Sequence, residues 1–245
     1  MSKTYVFGHH AVAALLEKQP ERVVHLYVQK ERHDQKIQQL LELANRAELI
    51  TEEVSRQELD KLTGNAVHQG IAALCHKPKT YSEADLAILL EQHAKPFLLV
   101  LDGVQDPHNL GACLRSADAA GVHAVIVPKD KSASLTPTVS KVACGAAETI
   151  PFIQVTNLAR TMRYLKEQGV WLYGAAGEAK QSVFQTDLSG PLAMVLGAEG
   201  EGLRRLTREH CDILLNIPMQ GSVSSLNVSV ATGIFLFEAL RQRMG

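Results

Sequence analysis

The sequence has little from which a metal centre, a disulfide framework or a membrane anchor could be built. Its four cysteines, Cys75, Cys113, Cys144 and Cys211, form no C-x-x-C pair and have no histidine at zinc-finger spacing, so no metal is expected. Thiols this widely separated read as buried and free, in a reducing compartment. No apolar run approaches the roughly 20 residues that span a bilayer. The first ten residues also lack the basic-then-apolar order of a secretory signal, so the expectation is a cytoplasmic protein with no membrane partner. An excess of one charge is missing too: Lys plus Arg number 25 against 26 Asp plus Glu, a net charge of -1. That balance excludes a chain that grips nucleic acid over its whole surface, but leaves room for a local basic patch. Neither the phosphate loop G-x-x-x-x-G-K-[ST] nor the dinucleotide fingerprint G-x-G-x-x-G is present.

What remains is alternation of short apolar runs with amphipathic stretches, the signature of an α/β fold. In the first third, Val6 and Phe7 end a strand, and Val12, Leu15 and Leu16 recur at helical spacing. Val23 to Val28 read as a strand, Ile37, Leu40, Leu41 and Ala44 as a helix stripe, and Leu49 to Val54 as a strand. Ser55 to Leu62 is a short helix with Ser55 and Glu58 at capping-box spacing; Gly64 and Asn65 stop it, and Gly70 to Cys75 close the unit as a strand. The polar segment Lys77 to Tyr81 and a helical stretch from Glu83 to Gln92 follow. The expected organisation is a small α/β domain over residues 1–76, a linker over 77–95 and a larger domain over 96–245.

From Phe97 the runs become uniformly apolar: Phe97 to Leu101, Val122 to Val127, Ile150 to Val155, Val170 to Tyr173, Leu192 to Leu196 and Ile213 to Ile217. Such runs, separated by helical segments, predict a parallel sheet covered on both faces. Ligands of such sheets bind beyond the carboxyl ends of the strands, so the loops after Leu101, Tyr173, Leu196 and Ile217 are where chemistry is expected.

Three of these loops are unusual. The first runs from Asp102 through Asp106-Pro107-His108-Asn109-Leu110-Gly111 to Arg115. Asp-Pro and Asn are also ordinary turn and cap residues, whereas an Arg at the mouth of a sheet can take a phosphate bidentately. The second, Gly197-Ala198-Glu199-Gly200-Glu201-Gly202, has glycines that let the backbone approach a ligand closely, with an acid between them that a purely structural turn does not require. The third, Ile217 to Ile234, carries more Ser, Asn and Gly than a strand-to-helix cap needs. Ser225 and Asn227 there offer a hydroxyl and an amide, and the helix N-terminus could meet an anionic group.

Together these three segments closely resemble the SpoU (TrmH) family of knotted SPOUT methyltransferases over residues 96–245, and the preceding domain looks like a small RNA-binding domain similar to ribosomal protein L30e. The resemblance implies an α/β-knot domain, its C-terminal segment threaded in a trefoil knot, and a homodimer with active sites near the subunit interface. It implies S-adenosylmethionine as cofactor, held near Gly197, Ile217 and Leu226, with Ala176 and Gly177 as further candidates. It implies methylation of a ribose 2′-hydroxyl, with Arg115 activating the hydroxyl and Asn109, Glu199, Ser225 and Asn227 holding substrate and shaping the site. Phe7-Gly8, His68-Gln69-Gly70 and the stretch Gly111 to Lys129 extend the likeness toward enzymes that act on a guanosine of 23S rRNA; a transfer RNA substrate, or an RNA-binding protein without catalysis, are the alternatives. His10, Lys30 and Arg32 are scattered candidates for RNA contacts. Arg115 is a poor base on first principles, since its pKa exceeds about 12. Two roles therefore stay open for it, activation of the hydroxyl or a cationic clamp on phosphate and developing alkoxide.

Overall fold

The computed structural model describes residues 3–30, 32, 34–76 and 81–245; of the polar segment Lys77 to Tyr81, the first four residues lie outside the described set. The chain divides into two compact units, one built from residues up to 76 with Cys144–Thr149, the other from the remainder after 80. Residues 81–95, expected within a linker, fall in the second unit.

The first unit follows the order β1 (Lys3–Phe7), α1 (His9–Lys18), β2 (Val23–Gln29), α2 (Gln35–Arg46), β3 (Thr51–Val54), α3 (Arg56–Thr63) and β4 (Ile71–His76). Its sheet order is β1-β4-β2-β3, with β4 antiparallel to both neighbours and β2 parallel to β3. One face is closed by Val12, Leu15 and Leu16 of α1 and Ile37, Leu40 and Ala44 of α2, packed on Leu26, Val28, Ile71 and Ala73. Leu59 of α3 packs with Val54 and Ala72 in a smaller cluster. The capping box at Ser55 forms as expected, Glu58 Oε2 accepting from Ser55 N–H at 2.8 Å while Ser55 Oγ accepts from Glu58 N–H at 3.3 Å.

Two short strings from the sequence, Phe7-Gly8 and His68-Gln69-Gly70, meet in this unit. His9 N–H donates to Gln69 Oε1 at 3.0 Å and Gly8 N–H to Ile71 C=O at 3.3 Å. Gly8 and Gly70 have φ of 87° and 83°, a region that L side chains rarely adopt. His68 is buried, and Nδ1 accepts from Gly70 N–H at 3.0 Å, which leaves Nε2 as the donor to Asp60 Oδ1 at 3.1 Å. Of the scattered basic candidates, Arg32 pairs with Asp34 at 2.8 Å, the residue that caps α2.

The second unit contains α4 (Glu83–Glu91), β5 (Phe97–Asp102), α5 (Pro107–Ala119), β6 (Ala124–Pro128) and α6 (Pro137–Val142). After the short α7 (Ala146–Thr149), grouped with the first unit, come β7 (Phe152–Val155), α8 (Leu158–Glu167), β8 (Trp171–Ala175), β9 (Gln181–Ser182), β10 (Leu192–Gly197), α9 (Arg205–His210), β11 (Ile213–Asn216) and α10 (Val228–Arg243). The sheet order is β7-β6-β5-β10-β8-β11-β9, and every pairing is parallel. All residues of β5 and β10 are buried, which explains why these runs carry no polar alternation. Leu86 and Leu89 of α4 and Leu158, Met162 and Leu165 of α8 pack with Leu98, Val100, Ile126 and Ile153, and that packing is why α4 belongs here. Helix α10 packs on α5 and β10.

Several strands start later than their apolar runs. Leu49, Val122 and Val170 each donate a backbone N–H to a carbonyl five residues back, Ala44, Ala117 and Leu165, at 2.9–3.0 Å, after Glu48, Gly121 and Gly169 with φ of 53°, 73° and 78°. Each apolar residue thus closes the preceding helix in a Schellman turn before the strand begins. Ile150 is separated from β7 by Pro151. The thiols also differ from expectation: Cys75 and Cys113 are buried, whereas Cys144 and Cys211 are partly exposed, Cys144 lying in a turn at φ 51°.

At the amino pole of the sheet, His93 and His123 stack with centroids 3.6 Å apart, and His123 Nδ1 accepts from Phe97 N–H at 3.1 Å. Burial first, then the charges of His93 and Arg243, hold the His123 pKa down at about 4, against an ordinary 6.5. The unfolded chain therefore takes up this proton more readily. Stability from neutral His123 is complete above about 6.5 and is lost as pH falls toward about 4. His123→Asn keeps an acceptor for Phe97 N–H without a titrating ring, and should reduce the fall in Tm between pH 7 and pH 4.5 by about 2–4 °C in thermal melts. An equal fall in both proteins would assign the acid sensitivity to other groups.

Candidate active site

Strand β5 is followed in the chain by β6 and β7 on one side of it, while β10, β8, β11 and β9 lie on the other. The switch point is therefore between β5 and β10, and the crevice beyond their carboxyl ends is where a ligand of such a sheet belongs. A cavity of about 330 Å³ opens beside that point, at the ends of β8, β10 and β11. A larger trough of about 470 Å³ runs between α4 and α8, spanned by the Glu83 and Arg160 ion pair at 2.6 Å. Its lining comes from the two helices alone and gathers no loops, so the smaller cavity is the better site.

The cavity has an apolar floor of Leu196, Leu215, Ile217, Leu226 and Phe235, with Ala176, Gly177, Gly197, Glu199 and Ser225 around it. Gly197 is obligatory for steric reasons: a Cβ there would lie 2.0 Å from the backbone C and O of Gly202. The loop folds back on itself, Gly202 N–H donating to Ala198 C=O at 2.9 Å, with Gly200 and Gly202 at φ of 82° and 67°. That turn leaves Glu199 exposed at the rim.

Asn109 from the first turn of α5, Glu199 from the loop after β10 and Asn227 from the N-cap of α10 meet at this rim. Asn109 Nδ2 donates to Glu199 Oε2 at 3.3 Å, and Asn227 Nδ2 donates to the same oxygen at 3.1 Å and to Asn109 Oδ1 at 3.0 Å. The other end of the Asn227 amide caps α10: Oδ1 accepts from Ser229 N–H at 2.9 Å and from Ser229 Oγ at 2.6 Å. Only one orientation of the Asn227 amide satisfies a cap and a carboxylate at once. Asn109, by contrast, caps nothing. Asp106 accepts from His108 N–H at 2.9 Å and is the cap of α5, with Pro107 at the first helical position where its missing N–H costs nothing. The Asn109 amide is thereby released for Glu199. The carboxylate sits near two helix N-termini, where the macrodipoles favour a negative charge.

Ser225, Leu226, Ile217, Ala176, Gly177, Gly197 and Glu199 thus all line one cavity, and Asn109 and Asn227 join them through Glu199. Arg115 does not. It lies six residues beyond Asn109 on α5, about 120° around the helix, exposed and outside the lining. Reading the loops one by one missed Met219, Glu178 and Phe235, which also line the cavity. For Phe235 a signal existed, since Val228, Ala231 and Phe235 recur at helical spacing on one face of α10.

The chain belongs to the SpoU rRNA methylase family, which it matches over residues 96–237; residues 5–81 match the RNA 2′-O ribose methyltransferase substrate-binding family. Among its relatives are the 23S rRNA (guanosine-2′-O-)-methyltransferases RlmB of Pectobacterium atrosepticum, 60% identical over 98% of each chain, and of Escherichia coli K12, 59% identical over 97% of this chain and 98% of the other. The fold is that of the SpoU methyltransferase AviRb from Streptomyces viridochromogenes, solved in complex with AdoMet: TM-score 0.77 at 24% identity, covering 99% of this chain and 91% of the other.

Because Asp106 keeps its cap, Asn109→Ala is expected to change stability by less than about 0.5 kcal/mol. Asn227→Ala loses a cap and should cost about 1 kcal/mol. Both should lower kcat/KM for methyl transfer to RNA at least tenfold, measured on protein shown to be folded by its melting curve. An Asn109→Ala enzyme of normal activity would show the shared bonds at the rim to be incidental.

Proposed function

We propose that this protein transfers the methyl group of S-adenosylmethionine to the ribose 2′-hydroxyl of a guanosine in 23S rRNA. The observation that carries the reading is the meeting of Asn109, Glu199 and Asn227 at the rim of the cavity at the ends of β8, β10 and β11. The substrate follows from relatives about 60% identical over nearly the whole chain.

The cavity suits the cofactor. Its size falls within the range of about 300–1,000 Å³ for small-molecule sites, its floor is apolar, as an adenine ring requires, and the glycine at 197 allows a backbone cradle that a Cβ would fill. Leu196, Ile217, Leu226 and Phe235 would hold the base, with Ala176, Gly177 and Gly197 along the ribose and amino acid. When bound, the cofactor supplies an electrophilic methyl on a sulfonium. The protein's task is to place a ribose oxygen in line with it at near-attack distance. Glu199, braced by Asn109 and Asn227, holds the nucleotide, and Ser225 presents a hydroxyl to it. Arg115 stays cationic, fixing a phosphate and stabilising the developing alkoxide, while solvent water takes the proton of the 2′-hydroxyl.

Residues 1–76 select the RNA and residues 96–245 carry the chemistry, supported by the substrate-binding match over 5–81. The C-terminal segment forms a trefoil knot, supported by the late strand β10 lying between β5 and β8. The enzyme acts in the cytoplasm; among the described residues no helix is long and apolar enough to cross a membrane, and no group of His, Cys, Asp and Glu could hold a metal.

The protein is a homodimer that uses α10. Val230, Phe237 and Met244 recur every seven residues and are 51%, 48% and 78% exposed, an apolar stripe that a second copy would cover. Phe237→Glu should shift sedimentation equilibrium from dimer to monomer, and an unshifted dimer would place the interface elsewhere.

The reaction is tested with labelled S-adenosylmethionine and, in separate reactions, unmethylated 23S rRNA and transfer RNA, followed by primer-extension mapping of 2′-O-methyl positions. Label in a single 23S guanosine is the expected result; label in transfer RNA alone would move the substrate, and no label in any RNA would leave a binding protein. In the same assay Arg115→Lys should lose at least about tenfold in kcat, because a point charge lacks the planar fork. Substantial activity with a shifted pH profile would instead count against a strict need for the guanidinium fork.

A further inference from the structure

Asp102 ends β5 and is completely buried. Its carboxylate takes the backbone N–H of Arg204 on Oδ2 at 3.0 Å and the Arg204 Nε on Oδ1 at 2.6 Å, with a second guanidinium nitrogen also on Oδ1. In the ladder, the residue opposite Asp102 is Gly197. One residue therefore holds both ends of the loop 197–204, its start by strand register and its end by an ion pair. The tip of that loop is Glu199. On its other side Asp102 leads, through Gly103 at φ 87°, into the loop that carries Asn109.

We propose that Asp102 and Arg204 are positioning residues for methyl transfer, closing the 197–204 loop so that Glu199 meets Asn109 and Asn227 and the cavity wall keeps its shape. The proposal rests on the methyl-transfer reading above. Three features separate this role from simple stabilisation. Only the carboxylate of this pair is buried, the Arg204 side chain being 42% exposed, and an apolar residue in place of a buried carboxylate can serve stability as well; what the pair adds is direction. Arg204 occupies the N-cap of α9, where Ser, Thr, Asp or Asn is preferred, yet its side chain caps nothing and turns to Asp102 instead. The attachment has a backbone donor and a guanidinium fork, a geometry that lysine cannot reproduce.

The test compares Arg204→Lys, Arg204→Gln and the apolar double variant D102L/R204M with wild type, using Tm, the Kd for S-adenosylmethionine by calorimetry, and kcat and KM for methylation of 23S rRNA. Arg160→Gln, which breaks the ion pair with Glu83, serves as a control. Arg204→Gln strands a buried carboxylate and should lose both Tm and activity. The double variant is expected to regain most of the Tm yet remain at least tenfold below wild type in kcat, with weaker cofactor binding, and Arg204→Lys should show the same tenfold loss well below its melting temperature. If the double variant transfers methyl groups at the wild-type rate, or if activity follows Tm through the whole series, the pair is merely structural. Should the double variant fail to fold, the kinetics of Arg204→Lys decide alone, normal values overturning the proposal. Wild-type protein without transfer would sink the underlying reading; transfer by wild type and Arg204→Lys alike would sink only this one.

Discussion

The carboxyl pole of the second unit is referenced to one ladder, the parallel pairing of Phe97–Asp102 with Leu192–Gly197. Both strands are buried along their whole length, so their register is held by packing on two faces, and a slip by one residue would turn every side chain to the wrong side. That register puts Gly197 beside Asp102. From this pair leave the two loops that carry Asn109 and Glu199, starting at a point that hardly moves. The site inherits its precision from the middle of the sheet, where a strand has the least freedom.

The rim shows how a few polar groups serve two ends at once. Asn227 uses its oxygen to start α10 and its nitrogen to hold Glu199 and Asn109, so the helix and the polar cluster are set by the same amide. Asp106 does the capping at α5 and leaves Asn109 for the carboxylate. Two helix N-termini then face a negative charge, an arrangement their dipoles favour. A carboxylate braced in this way has little side-chain entropy left to lose on meeting a ligand, and such preorganisation is what orientation-based catalysis draws on. Arg115, exposed on α5, lies outside the lining of the cavity.

In the first unit, too, turns are tied to the sheet by single polar side chains. Gln69 holds the start of α1, and His68, committed to one tautomer by Gly70 and Asp60, holds the entry to β4. Loops fastened to a rigid sheet are the usual carriers of recognition, in keeping with the substrate-binding family that this part of the chain matches.

The sequence by itself determined the α/β class, the six long strands of the parallel sheet, the capping box at Ser55 and three of the loops that line the cavity, because strand burial and helix capping depend on neighbours close in the chain. It overran the starts of several strands, since Leu49, Val122 and Val170 are as apolar in a Schellman turn as in a strand. It placed α4 in a linker because nothing local records that Leu86 and Leu89 pack on Leu98 and Ile153. It also weighed Asn109 as a cap, when three residues earlier Asp106 had taken that part. The tertiary structure alone decided that Asn109, Glu199 and Asn227, each about 30 or more residues from the next, meet at one carboxylate oxygen, that Arg115 lies outside the cavity lining, and that Asp102 grips Arg204. Those contacts depend on strand order and on the return of the C-terminal helix to the start of the domain, and pairings between distant loops leave no periodicity in the sequence.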